Sequence, residues 1–98
     1  MKGIFKAKET LDGQFMIGLN DALYEEIHKR IDTTAIGSYN ILPARILGIT
    51  YAEFLRYARD KYNGIIIGKD CKYPKVVFNS EQDCNLLCKE LLLRWAKI

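Results

Sequence analysis

Hydrophobic and polar residues alternate over the first twenty positions. Phe5 and Ala7 are separated by Lys6 and Lys8, and beyond Asp12-Gly13 the residues Phe15, Ile17 and Leu19 keep the same period. A period of two sends alternate side chains to opposite faces, so two strands joined by a tight turn are predicted. From Asn20 or Asp21, either of which can cap a helix, the period lengthens. Leu23, Tyr24, Ile27 and Ile31 then form one stripe, while Glu25 with Lys29 and Glu26 with Arg30 make i,i+4 charge pairs on the other face. A helix through about Ile31 follows. His28 lies beside its stripe, with no neighbouring Ser, Asp or Cys to make it a base, and reads as a surface histidine. Residues 32–42, with Thr33, Thr34, Gly37, Ser38 and Asn40, read as a loop with a short extended piece near Tyr39.

Pro43 can open a short helix because a first-turn N–H has no intrahelical partner to lose, and Gly48 ends it. Thr50 then caps a longer helix, with Glu53 three residues on to complete a capping box, and Asn63-Gly64 closes it. The β-rich stretches 64–68 and 74–78 flank a polar connection and predict a second hairpin. Ser80 caps a last helix with Asp83 at its third position. Cys84, Leu87, Cys88, Leu91, Leu92 and Trp95 recur there at helical spacing. The whole reads as one α+β domain over residues 1–98, with two β-hairpins and three main α-helices in the order β-β-α-α-α-β-β-α, one helix being a single short turn.

Composition narrows the function classes. Ninety-eight residues, 49% hydrophobic and 28% charged, suffice for one modest core. No apolar run has the length of a membrane span and no signal peptide is legible, so a cytoplasmic protein without a membrane partner is expected. Three cysteines, Cys71, Cys84 and Cys88, are an odd number and read as reduced thiols. Cys84 and Cys88 lie four apart, but a zinc site would have to recruit Cys71 and His28 from distant segments, so buried apolar thiols are the preferred reading and no metal or cofactor is expected. A single histidine, no Gly-rich phosphate loop and no paired carboxylates leave catalysis without support, and a non-enzymatic role is expected.

The net charge is +3, with a basic bias in residues 43–78, where seven basic side chains face three acidic ones. Within that stretch, Ala44, Gly48 and Phe54 have the spacing of the small residue, turn glycine and buried apolar residue of a helix-turn-helix, and Leu47, Ile49 and Tyr57 suit its other core positions. Residues 44–62 thus resemble that motif, and the hairpin at 64–78 resembles the wing of winged-helix and excisionase-like domains. The resemblance implies DNA contacts by Arg56, Arg59, Lys69, Lys72 and Lys75. Against it, Pro43 leaves the first helix barely one turn, and Glu53 and Asp60 would repel phosphate. The apolar stripe Tyr51, Phe54, Leu55, Ala58 and Tyr62 also turns the second helix inward.

A second resemblance spans the C-terminal half: residues 47–56, LGITYAEFLR, then Arg59-Asp60-Lys61-Tyr62, Gly68-Lys69, Tyr73-Pro74 and Phe78. This pattern looks like one found in small proteins of phages infecting Gram-positive bacteria. It implies an accessory protein that binds and disables a host protein in the bacterial cytoplasm, including defence nucleases such as CRISPR effectors, but it assigns no functional residues. The last helix adds an independent signal, because Leu86 and Leu93 lie about half a turn of the wheel from the core stripe at 100° per residue. Either that helix is buried on both sides, or Leu86 and Leu93, with Ile98, form an oligomer or partner interface. The expected function is therefore binding of a host protein through Leu86, Leu93 and the mixed-charge face Glu53, Arg56, Arg59 and Asp60, with a homo-oligomer also open. DNA binding is the alternative. A further one is a nucleotide sponge in which Tyr51, Tyr57, Tyr62 and Tyr73 stack on a base while Arg56 and Arg59 clamp its phosphate.

Overall fold

The computed structural model describes residues 5–20, 42–72 and 74–96. The helix expected over 21–31, residues 32–41 of the loop after it, His28, Tyr73 and Ile98 lie outside the described residues, while Leu42, expected to end that loop, already belongs to a helix. Strands β1 (Phe5–Glu9) and β2 (Phe15–Leu19) pair antiparallel, with Phe5 opposite Leu19, Ala7 opposite Ile17 and Glu9 opposite Phe15. Residues two apart share a face, so Phe5, Ala7, Phe15, Ile17 and Leu19 meet the core while Lys6 and Lys8 point away. The connection is a three-residue loop, one residue longer than the tightest hairpin turn. The Thr10 N–H donates to the Gln14 carbonyl at 2.7 Å, and Gly13 takes a left-handed φ of 78°.

Helix α1 (Leu42–Leu47) is the predicted short turn, with Pro43 in its first turn and Gly48, at φ 73°, ending it. Helix α2 (Tyr51–Tyr62) begins at the predicted capping box: the Glu53 N–H donates to Thr50 Oγ1 at 3.1 Å and the Thr50 N–H to Glu53 Oε1 at 3.3 Å. It ends at Asn63 in the left-handed conformation, followed by Gly64, whose N–H donates to the Ala58 carbonyl at 3.1 Å. A Cβ on Gly64 would lie 2.6 Å from Val76 Cγ2 and 3.1 Å from the Ala58 oxygen. Only glycine lets the end of α2 approach the following hairpin this closely.

Strands β3 (Ile65–Ile67) and β4 (Lys75–Val77) form that hairpin, with Ile66 opposite Val76. One antiparallel bridge joins the two hairpins: Phe15 and Phe78 each donate an N–H to the other's carbonyl at 2.7 Å. Helix α3 (Glu81–Trp95), capped by Ser80, packs against β1, β2, α1 and α2 through Cys84, Leu87, Cys88, Leu91 and Trp95. Trp95, Phe78, Leu42, Leu87 and Leu91 are almost fully buried and anchor one core. The class is α+β, as predicted. Among the described residues no helix is long and apolar enough to cross a membrane.

Candidate functional site

Both longer helices bury one stripe and offer the other to solvent, and all six residues expected to bind a protein partner lie on those outer faces. On α3, Leu86 is 47% and Leu93 60% exposed. Of the two arrangements open from the sequence, the described residues do not cover the helix on both sides. Leu86 and Leu93 are seven residues apart, hence on one side of the helix, with exposed Lys89 beside them and Gln82 one turn before Leu86. Among the described residues three other large apolar side chains are exposed: Leu11 at the tip of the first hairpin, and Ile65 and Ile67 on β3. These were not singled out from the sequence, where a run of three isoleucines gives no sign of which way each points.

The outer face of α2 carries Glu53, Arg56, Arg59 and Asp60, all exposed. Glu53 is held by the cap. Arg59 Nε donates to Asp60 Oδ1 at 2.9 Å, and this hydrogen bond holds the Asp60 carboxyl below its usual range. The apolar side turns inward as expected, with Phe54, Leu55 and Ala58 buried and Tyr51 and Tyr62 half-buried.

The residues of the DNA alternative are divided between α2, which carries Arg56 and Arg59, and the second hairpin, which carries Lys69, Lys72 and Lys75. The Tyr51 hydroxyl donates to the Pro74 carbonyl, so the Lys69 to Lys75 end of the second hairpin adjoins the first turn of α2. Arg59 lies eight residues further along that helix, about 12 Å at 1.5 Å per residue. Lys69 and Lys72 are exposed on the turn, while Lys75 lines a cleft beside β2.

The tyrosines proposed to stack on a base are likewise divided. Tyr51 packs beside Phe54, with ring centroids 6.5 Å apart. Tyr57 and Tyr62 meet edge to face and both donate to the Glu90 carboxylate of α3, the former at 2.7 Å. Lys61 Nζ completes the cluster, 3.2 Å from Glu90 Oε1 and 2.8 Å from the Tyr57 hydroxyl. Burial opposes ionisation of Glu90, but the bonds from Tyr62, Tyr57 and Lys61 outweigh it and hold the carboxyl below its usual range. Burial and the bond to Glu90 push Tyr62 up to about 12. In this cluster the Lys61 ammonium is already paired with Glu90 and both tyrosine hydroxyls already donate to that carboxylate, so no free cation or donor is left for a phosphate. The cluster ties α2 to α3, and sequence reading missed it.

Cys84 and Cys88 are buried in the core, and the hydrogen bond between them together with burial pushes the Cys84 thiol up. Cys71 is exposed on the second hairpin's turn, away from them. No protein-family model matches the chain, and no curated protein or solved structure matches it significantly.

Proposed function

We propose that this chain is a non-enzymatic binding protein that occupies a surface of another protein with the outer face of α3. The observation that carries this reading is the exposure of Leu86 and Leu93 on one side of a helix whose other side anchors the core. An isolated exposed leucine needs no explanation, but two in register form the stripe by which a helix packs on a second surface. Lys89 beside them favours a partner whose apolar contacts flank an acidic group. Two copies of α3 crossing antiparallel about the midpoint of Leu86 and Leu93 would bring both Lys89 ammoniums close together, which favours a different protein over self-pairing.

The charged face of α2, Glu53, Arg56, Arg59 and Asp60, is the candidate polar rim. The resemblance to small phage proteins of Gram-positive hosts supports a host protein as the target and the bacterial cytoplasm as the place of action. Affinity capture by the full chain from a Gram-positive lysate, with and without nuclease, tests this. A stoichiometric protein retained after nuclease treatment is expected. Capture that depends on nucleic acid, or duplex binding in low salt that falls when Arg56 and Arg59 are replaced by alanine, would overturn it in favour of DNA.

A further inference from the structure

Among the described residues the backbones of the two hairpins are bridged at Phe15 and Phe78, beside which Gln14 Nε2 donates to Asn79 Oδ1 at 3.0 Å, and then separate. In an antiparallel ladder the residues that exchange both bonds recur every second position. Beyond Phe15 and Phe78 the next pair would be Ile17 with Val76, yet among the described residues no backbone bond joins them. The gap between β2 and β4 holds a cleft of about 260 Å³. Ile17 and Leu19 form one wall, Val76 the other, and Phe54 also lines it. Tyr51 lines it as well, and burial pushes its hydroxyl's pKa up, so it presents a neutral ring whose O–H is already bonded to Pro74.

Two cations complete the lining, Lys8 from β1 and Lys75 from β4. Both are exposed, and no ion pair with another described residue neutralises either. Lys8 reaches the cleft because residue 18 is glycine: a Cβ there would lie 2.2 to 2.5 Å from the Lys8 methylenes, so the lysine stem runs flat across the strand. We propose that this cleft binds a small organic anion, with its apolar body between β2 and β4 and its charged group met by Lys8 and Lys75. The volume lies below the ~300 Å³ at which pockets for drug-sized molecules begin, which limits the ligand to a short chain or single ring. The backbone groups of Ile17 and Val76 that face the gap supply further hydrogen-bonding positions. This site is separate from the α3 face, and its failure would leave the protein-binding reading untouched.

The test is an amide NMR titration of the full chain with hexanoate, 1-hexanol and inorganic phosphate as probes. Hexanoate is expected to give saturable shifts centred on Ile17 and Val76, hexanol weaker ones at the same amides, and phosphate none. Lys8→Met with Lys75→Met, which keeps the apolar stems on exposed positions, should weaken hexanoate roughly tenfold and leave hexanol unchanged. The proposal is overturned if hexanoate gives no saturable shifts into the millimolar range, if phosphate alone reproduces them, or if the double variant binds hexanoate equally well.

Discussion

The outer faces of α2 and α3 differ in one respect that matters for function. Both helices sit on the same core, with Phe54, Leu55 and Ala58 inward on one and Leu87, Leu91 and Trp95 inward on the other. On α2 the outward side is charged and largely satisfied within itself, since Glu53 is part of the cap and Asp60 accepts from Arg59. On α3 the outward side carries Gln82, Asn85, Lys89 and Arg94 and, between them, two leucines in register. A charged face needs nothing further to be stable in water, whereas leucines in register gain free energy when covered, by ~25 cal/mol for each Å² of apolar surface removed from water. The candidate interface is therefore centred on α3, with α2 at its edge.

The largest effect should come from the inner side of α3. Trp95→Ala is expected to destabilise the fold by about 3–5 kcal/mol in chemical denaturation. A loss below ~1 kcal/mol would mean that the inner and outer sides are not the distinct environments described here.

Glu90 comes next, because it joins the two helices. Glu90→Gln removes the charge that Tyr57, Tyr62 and Lys61 share, and should cost about 1–3 kcal/mol at neutral pH. The pH dependence has a definite sign. The folded carboxyl lies below its ordinary value of 4.5, so its contribution is present above that pH and is lost as pH falls through the lower folded value. Wild type and variant should thus converge in stability in acid. Tyr62 behaves oppositely: with a folded value of about 12 against 10.0, its contribution is present below pH 10 and disappears as pH rises through 12. Its phenolate should form only as pH approaches about 12, and formation near 10 would refute the contact with Glu90.

Smaller effects separate the outer faces themselves. Thr50→Ala removes one half of the capping box and should destabilise by about 1 kcal/mol. Arg59→Ala breaks a fully exposed pair and should leave the midpoint of chemical denaturation unchanged. A clear loss there would show that the charged face of α2 is part of the fold's own structure.

Much of the architecture follows from short-range chemistry. Thr50 and Glu53 are three residues apart, Gly48 and Asn63 mark helix ends by their backbone conformation, and the period of two in residues 5–19 and the helical stripe from Cys84 to Trp95 need no tertiary information. The opposition of Leu86 and Leu93 to that stripe was legible in the same way. Whether another layer covered them was not, because the second layer depends on how distant elements pack. The Glu90 cluster was hidden for a related reason: Tyr57, Lys61 and Tyr62 recur on α2 at spacings equally suited to a core stripe, and their partner lies 28 to 33 positions away. The cleft arises from a single pairing, Phe15 with Phe78, across two hairpins whose sequences give no signal of mutual register.

The most direct measurement compares capture from nuclease-treated bacterial lysate by three forms of the full chain: wild type, Leu86→Asp with Leu93→Asp, and Arg56→Ala with Arg59→Ala. Circular dichroism is recorded on each, and native mass on each complex. Wild type and the arginine variant should retain the same protein partner, while the leucine variant should remain folded and lose it. Unfolding of the leucine variant, retention of the partner by it, or a captured mass that is only a second copy of this chain would contradict a hetero-interface on α3.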